Sequence, residues 1–460
     1  MKVGTFLVLA MAAGAPAMGA PPGDRNPRIA EIVGQVSPVR IEANIRKLVS
    51  FGTRNSLSDT TSETRGVGAA RRWIKAELER CSKEAGGRLE VAFDEHLTEA
   101  GARGPRPTNF VTVVATLRGD QAESRERLYV VSGHYDSMPS SPVDPDQDAP
   151  GANDDASGTA VSMELACVMA RHRFDATLVF MAVAGEEQGL LGAGEWAKNA
   201  RAKGLDVAGM FTNDIVGNTR GLDGKVERGR VRLFAQGVPP LATLPEDVLA
   251  ALRTGGENDL PTRQLARFVK ERAERHVPGM KVDVIWRRDR YLRGGDHFPF
   301  LDAGYAALRF TEPSEDWRHQ HQDVRLVDGV QYGDLPEFVD FAYVADVARV
   351  NASALAALAL GPSVPRDVEM ENIRLEADTT LRWKRNPEPD VAGYRIVWRE
   401  TTAADWQHFR DVGDVIRETL VGVSKDNFQF GLQAYDRDGN LSVAAYPKPY
   451  WPLPPPAAPR

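Results

Sequence analysis

Three uninterrupted apolar runs constrain the fold of this chain more than any other feature. The runs "RLYVVSGHYDS", "ATLVFMAVAGEEQG" and "VAGMFTNDIVGN" lack the polar/apolar alternation of a half-exposed strand. Continuous Val- and Leu-rich runs are typical of strands buried on both faces of a parallel sheet. Segments with helical spacing, such as "GTAVSMELACVMARH" and "LLGAGEWAKNARAKG", follow them. The sequence therefore predicts an α/β fold with a mostly parallel central sheet flanked by helices.

Polar residues stand where each of these predicted strands ends. His134 and Asp136 follow the first run, Glu186 and Glu187 follow the second, and Asp214 follows the third. In open α/β sheets, ligands bind beyond the carboxyl ends of the strands. We therefore expect these side chains to meet at one edge of the sheet.

An acidic loop, "GHYDSMPSSPVDPDQDAPGANDDASGT", adds Asp154 to this set. A second imidazole is available from His319 or His321 in "WRHQHQDV". Carboxylates that converge in one cleft repel each other and raise each other's pKa unless a divalent cation is present. Nitrogen and oxygen ligands suit zinc, and the absence of a CxxC pair excludes a thiolate site. A carboxylate bridging two metals about 3.5–4 Å apart is the usual two-metal geometry.

Five motifs occur in the order found in the M28 family of zinc aminopeptidases. They are "GHYDS", "GANDDASG", "AGEEQGLLGA", "TNDIVG" and the HxxxD of "HQHQD", and the resemblance covers roughly residues 30 to 360. The chain is identified from them as a bacterial, secreted member of that family. The resemblance implies the zinc-exopeptidase fold, which is phosphorylase/hydrolase-like, and two zinc ions per chain.

The resemblance also implies the metal ligands. His134 and Asp214 should hold one zinc, Glu187 and His319 the other, and Asp154 should bridge the two. The choice of His319 depends on the family pattern His-Thr-Pro-x-Asp. This chain has His-Gln-His-Gln-Asp instead, and counting back four residues from Asp323 gives His319, with His321 as the alternative.

Two further residues receive catalytic roles from the resemblance. Glu186 should be the general base, and Asp136 should hydrogen-bond the ring of His134, as a carboxylate that fixes a ligand's tautomer does. Asp155 is interpreted as a structural hydrogen-bond acceptor. The resemblance further implies a cis peptide bond between Asp154 and Asp155.

Other polar segments receive weaker interpretations. Asp296 and His297, in "GGDHFPFLDAGYAALRF", lie in a segment similar to one that lines the family's substrate pocket, but a structural role is at least as plausible for them. The arginine-rich "WRRDRYLR" is interpreted as a solvated face rather than as a partner for a substrate carboxylate.

The chain divides into three parts. Residues 1–20 read as a signal peptide, with a lysine, a short apolar run and small residues at the cleavage site, which predicts a periplasmic or secreted protein. Residues 21–362 form the predicted peptidase domain. Beyond a proline-marked linker, residues 363–460 show short alternating strands and resemble a fibronectin type III sandwich, with Trp383 and Tyr394 at buried aromatic positions.

Composition limits the partners and the function. A net charge of −7 gives no reason to expect nucleic acid or an anionic membrane. The expected substrate is a peptide or protein with a free N-terminus, and the expected enzyme is a dinuclear zinc aminopeptidase. The alternatives are a carboxypeptidase or a glutaminyl cyclase on the same fold, and a non-catalytic binding ectodomain. The pairing of Cys81 with Cys167 and the oligomeric state stay open.

Overall fold

The larger of two domains is built around one eight-stranded sheet. The computed structural model describes residues 26–101, 104–291 and 293–450, so the predicted signal peptide at residues 1–20 lies outside it. The strands, in chain order, are β1 (Leu89–Thr98), β2 (Thr108–Leu117), β3 (Arg127–His134), β4 (Thr177–Val183), β5 (Asp206–Asn213), β6 (Arg230–Ala235), β7 (Lys281–Ile285) and β8 (Ala307–Thr311). They lie in the order β1-β2-β4-β3-β5-β8-β6-β7.

The four central strands of this sheet, β4, β3, β5 and β8, are mutually parallel. Every residue of β4 and β8 is buried, which explains their continuous apolar sequences. The outer pairs β1–β2, β2–β4 and β6–β8 are antiparallel. The predicted α/β class is confirmed, and the parallel part of the sheet is its centre.

Helices cover both faces of the sheet. They are α1 (Pro27–Gly34), α2 (Pro38–Val49), α3 (Gly66–Glu84), α4 (Ala156–Met169), α5 (Leu191–Ala202), α6 (Glu246–Leu252), α7 (Pro261–His276), α8 (His297–Asp302) and α9 (Phe341–Leu360). All residues of α4 are buried. Within the described ranges α9 alone is long and apolar enough to cross a membrane, and 89% of its most apolar window is buried inside the protein. Here α9 is the core helix against which α1, α2, α4 and α7 pack.

A disulfide joins two of these helices. Cys81 in α3 bonds to Cys167 in α4, and the two cysteines are 86 residues apart in sequence. The sequence left the pairing of these two cysteines open. They form a disulfide because both helices lie on the same face of the sheet with the two side chains in contact.

Removing the disulfide should destabilise the protein. A bridge closing a loop of this length limits the unfolded chain, and its loss typically costs about 2–4 kcal/mol. We expect the Cys81→Ser/Cys167→Ser double variant to show that loss in denaturant unfolding, with no further effect of a reductant. The wild type treated with reductant is the matched control and should approach the double variant. Equal stability of oxidised wild type and double variant would contradict this role.

The smaller domain consists of two facing sheets. Its strands are β11 (Arg366–Glu371), β12 (Thr379–Lys384), β13 (Val391–Glu400), β14 (His408–Gly413), β15 (Arg417–Leu420), β16 (Phe428–Asp436) and β17 (Lys448–Tyr450), and the larger domain adds the hairpin β9 (Arg325–Val327) and β10 (Val330–Tyr332). One sheet has the order β15-β12-β11-β17 and the other β14-β13-β16. Trp383 and Tyr394 are buried between them, as their positions predicted. The fibronectin type III assignment itself stays a prediction.

The two domains meet through buried ion pairs. Arg127, at the start of β3, lies 2.9 Å from Glu388, and both side chains are almost completely buried. Arg399 of β13 lies 2.7 Å from Asp259, again with both groups buried. The smaller domain therefore covers part of the larger one. It is more than a tethered spacer.

These pairs predict a strong dependence of stability on the interface. Glu388→Gln would leave the Arg127 guanidinium buried without a counter-charge, and breaking such a pair typically costs about 3–5 kcal/mol. Asp414→Asn is the matched control, because the Arg385–Asp414 pair lies more than half exposed and should contribute less than about 1 kcal/mol. The free energy of unfolding of both variants checks this. Equal small losses would show that the interface tolerates an unpaired arginine.

Candidate metal centre

Three adjacent parallel strands deliver the candidate ligands to one edge of the sheet. β3 ends at His134, β4 is followed by Glu186 and Glu187, and Asp214 comes directly after β5. Because β4, β3 and β5 are neighbours with the same direction, their carboxyl ends lie side by side. The edge predicted from the sequence is therefore the one that carries the site.

Asp154 stands at the centre of this site, just before α4. One of its oxygens, Oδ1, lies 3.1 Å from His134 Nε2, and the other, Oδ2, lies 2.9 Å from His321 Nε2. His321 Nε2 is also 3.2 Å from Glu187 Oε1. Each oxygen of this one carboxylate thus lies close to a different imidazole. The peptide bond between Asp154 and Asp155 is cis, as the resemblance implied.

The donor atoms form two groups that could each hold a metal ion. The first comprises His134, Asp154 and Asp214, and the second comprises Asp154, Glu187 and His321. Within each group the donor atoms lie within 4.8 Å of one another, and Asp154 belongs to both. Nitrogen and oxygen donors of this kind fit zinc. The groupings match the predicted ligand sets except at one histidine.

The prediction of His319 as a neighbour of Glu187 is wrong, and His321 takes that place. The His319 ring stacks on Phe338, with 3.7 Å between ring centroids, and its Nε2 lies 3.9 Å from Asp316. His321 has a left-handed backbone with φ of 51°, so the turn containing both histidines reverses at this residue. Counting four residues back from Asp323 failed because that spacing belongs to a loop containing Thr-Pro, which this chain lacks. The two histidines of HQHQD indicated that one of them lies beside Glu187. Only the conformation of the turn shows which one does.

Asp136 contacts the His134 ring in a way that the sequence did not predict. The ring Nδ1–H donates to the backbone carbonyl of Asp136 at 3.1 Å, while the carboxylate is 3.6 Å from that nitrogen. The carboxylate instead accepts the backbone N–H groups of Glu186 at 3.3 Å and Glu187 at 3.2 Å. The carbonyl thus keeps the proton on Nδ1. The unprotonated Nε2, which faces Asp154, is left able to bind a metal ion. The carboxylate fixes the segment that carries both glutamates.

Asp155 has the structural role interpreted from the sequence. Its carboxylate accepts the backbone N–H groups of His134 at 3.0 Å and Gly158 at 2.9 Å. It therefore joins the end of β3 to the first turn of α4, and its oxygens are occupied by these amides.

Three residues that the sequence did not single out hold the carboxylates of the site. Asp334 Oδ2 accepts the Asp154 backbone N–H at 2.7 Å, and Gln320 Nε2 donates to Asp154 Oδ2 at 2.9 Å. Arg309 lies 2.9 Å from Asp214 Oδ1 and is fully buried. Gln320 lies within the quoted HQHQD motif and Arg309 within the segment 294–310, but neither pattern indicates these contacts, which only the folded chain reveals.

The electrostatics of the cleft favour a bound cation. Burial raises the pKa of the Glu186 carboxyl well above its ordinary value, and Asp214 and Glu187 add to this effect while His134 opposes it. Burial also raises the pKa of Glu187. Burial would raise the pKa of Asp154 as well, but His321 and His134 hold it well below its usual range. Without a cation, the repulsion between these buried carboxylates is relieved only when some of them take up protons. A bound divalent ion removes this repulsion without protonation.

The segment around Asp296 and His297 is buried. His297 Nε2–H donates to the Arg288 carbonyl at 2.9 Å, which supports a structural role. The solvated-face interpretation of the arginine-rich segment is wrong for Arg290, which is mostly buried and lies 2.9 Å from Glu315. Arg290 pairs with the buried carboxylates of Asp289 and Glu315. These ion pairs offset the cost of burying its guanidinium group.

Taken together, the sheet edge and its shared carboxylate define an α/β protein with a candidate dinuclear metal centre of the metallohydrolase type. The sequence model of peptidase family M28 matches residues 112–239. Probable zinc metalloproteases from two fungi are similar over nearly the whole chain. That of Leptosphaeria maculans is 48% identical over 92% of this chain and 97% of its own, and one of Pyrenophora tritici-repentis is 45% identical over 93% and 88%. The chain belongs to peptidase family M28 and is a zinc metalloprotease of that family.

Solved structures agree at the level of the fold. LapB of Legionella pneumophila has a TM-score of 0.51 and 18% identity, covering 73% of this chain and 75% of that one. The LapA aminopeptidase of the same bacterium has a TM-score of 0.50 and 17% identity, covering 73% and 76%. The sequence relatives named above are fungal, so the bacterial origin suggested by the motifs is not supported.

Proposed function

We propose that this metalloprotease is a dinuclear zinc aminopeptidase. The observation that carries the proposal is the placement of His134 and His321 at the two oxygens of Asp154. One carboxylate facing two imidazoles, with Asp214 on one side and Glu187 on the other, provides a complete donor set for two ions. We propose His134, Asp154, Asp214, Glu187 and His321 as the ligands.

Glu186 is the proposed general base. It adjoins the ligand Glu187, and its backbone N–H is fixed by the Asp136 carboxylate. Zinc, when bound, supplies a Lewis acid that polarises the scissile carbonyl and lowers the pKa of water. Glu186 accepts a proton from the attacking water and donates it to the departing amine, which completes hydrolysis of the peptide bond.

The substrate is proposed to be a peptide or protein with a free N-terminus. A panel of three peptides tests this: one with a free amine, one acetylated at the N-terminus and one with N-terminal glutamine. Release of the first residue from the peptides with a free amine, but not from the acetylated peptide, supports an aminopeptidase. Release from the C-terminus supports a carboxypeptidase, pyroglutamate formation a cyclase, and no turnover by zinc-loaded protein a binding ectodomain.

The metal count provides an independent prediction. Because Asp154 serves both donor groups, elemental analysis of protein purified with zinc should give close to two zinc per chain. Asp154→Asn should reduce binding at both positions. A wild-type stoichiometry near one would reject the bridging role of Asp154 and favour a single-zinc enzyme.

The site of action is proposed to be outside the cytosol. The pattern of residues 1–20 and the Cys81–Cys167 disulfide both support secretion. N-terminal sequencing of protein recovered from the culture medium should show cleavage after Ala17 or Ala20. Retention of Met1 on cell-bound protein would contradict secretion.

A further inference from the structure

A large cavity lies between the two domains. Its volume is about 720 Å³, within the usual range for small-molecule sites, which often lie at domain interfaces. The larger domain contributes the start of α1 and parts of α7 and α9. The smaller domain contributes residues of β13, β14 and β16 and the turn after β16. None of the proposed metal ligands lines it.

Positive charge dominates the wall of this cavity. Four arginines and one histidine line it against two aspartates: Arg28, Arg272, Arg275, Arg395 and His276 against Asp411 and Asp438. One of the two aspartates, Asp411, is already engaged, because Arg395 donates to both of its oxygens at 2.6 and 2.9 Å. The remaining arginines therefore exceed the carboxylates available inside the cavity.

Arg272 and Arg275 show the imbalance most clearly. Both reach the same carboxylate, Glu271, at 3.0 Å, so one half-exposed anion serves two guanidinium groups. Arg272 is 7% exposed, and its buried Nε has no hydrogen-bond partner. Burial lowers the pKa of Arg272; Glu271 opposes this effect, while Arg275 and Arg395 add to it. A buried, incompletely paired guanidinium is costly, and an oxyanion removes that cost.

We propose that this cavity binds a small organic oxyanion, held by Arg272 and Arg275 from α7 beside the Arg395–Asp411 pair of the smaller domain. Planar guanidinium groups recognise carboxylate and phosphate groups through paired N–H donors. Residues of both domains line the cavity, so a bound ligand also stabilises the contact between the domains. The shared chemistry is that of carboxylate and phosphate, and the experiment separates the two.

Calorimetric titration of the zinc-loaded full-length protein tests the site with inorganic phosphate and, separately, with glutarate. We expect saturable binding of at least one anion. Arg275→Gln and Arg272→Gln should each weaken it by about 10- to 100-fold, as expected for loss of a charged hydrogen bond. Arg46→Gln is the matched control, since Arg46 is an exposed arginine of α2 outside the cavity, and it should bind as wild type does.

Two controls keep the result interpretable. Arg275 is partly exposed, so Arg275→Gln is expected to fold even if Arg272→Gln does not, and unfolding curves verify this. Anion bound at the metal centre would inhibit hydrolysis competitively and be unaffected by either cavity variant. Absence of saturable binding, or affinity unchanged in folded Arg275→Gln, overturns the proposal.

Discussion

Glu186→Gln should lower kcat by about 10²–10⁴-fold, the usual size of a general-base contribution, while zinc content and substrate affinity stay near those of the wild type. The amide has nearly the same shape as the carboxylate but cannot accept a proton. The structure supports intact metal binding in this variant, because Glu186 belongs to neither group of candidate ligands. The hydrogen bond from its backbone N–H to Asp136 does not depend on the side chain.

Glu187→Gln is the matched control for that experiment. Glu187 belongs to the second group of candidate ligands, with Asp154 and His321. A neutral amide oxygen is a poorer zinc donor, so this variant should lose affinity for one zinc, and added zinc should partly restore activity. Zinc addition should not restore Glu186→Gln.

The pH dependence of Glu186→Gln provides a second readout. Glu186 must be ionised to act as a base, and burial raises its pKa, so wild-type activity should fall as the pH drops through that raised value. Bound zinc lowers the pKa of Glu186 and so moves the acidic limb of the pH–activity profile to lower pH. The limb due to Glu186 should be absent from the residual activity of Glu186→Gln. Near-normal kcat with full metal occupancy would reject the base assignment, and metal loss in Glu186→Gln but not in Glu187→Gln would exchange the two roles.

His321→Ala should lose far more metal than His319→Ala. Mutation of residues that merely support metal ligands costs about 10–100-fold in metal affinity, and loss of a direct ligand should exceed the upper end of that range. His321 Nε2 is the imidazole atom nearest both Asp154 Oδ2 and Glu187 Oε1. Its removal should leave close to one zinc per chain and abolish most peptidase activity.

His319→Ala should behave as a packing variant. His319 stacks on Phe338 and lies apart from the cluster, so its loss should cost about 0.5–1.5 kcal/mol of stability, the size of an aromatic pair. Zinc content should stay unchanged. Elemental analysis and denaturant unfolding of the two variants measure these effects side by side. Greater zinc loss in His319→Ala would mean that the turn rearranges when metal binds.

The Arg309–Asp214 contact affects how Asp214 could bind a metal ion. Burial would lower the pKa of the Arg309 guanidinium, but Asp214 and Asp289 raise it, so it stays charged. That charge competes with a cation for one oxygen of Asp214 and leaves Oδ2 for a metal. A metal ion held by Asp214 would therefore meet a neighbouring positive charge at that carboxylate.

The sequence by itself determined the class of fold and most of the site. Short continuous apolar runs rich in β-branched residues favour strands buried on both faces, and parallel neighbours carry the residues that end them to one edge. His134, Glu186, Glu187 and Asp214 follow from that local pattern. Asp154 follows from its motif, because the start of α4 faces the same edge.

Tertiary structure alone decided the rest, because it depends on contacts between distant segments. The choice of His321 over His319 depends on a left-handed turn, and no spacing rule describes that turn once Thr-Pro is lost. The contact of Asp136 through its carbonyl depends on where the Glu186–Glu187 amides lie. The contacts of Asp334, Gln320 and Arg309 with the site join segments far apart in sequence, and the arginine-lined cavity exists only where the two domains meet. Periodicity reports which face of an element is buried, but it carries no information about which distant polar group will lie opposite.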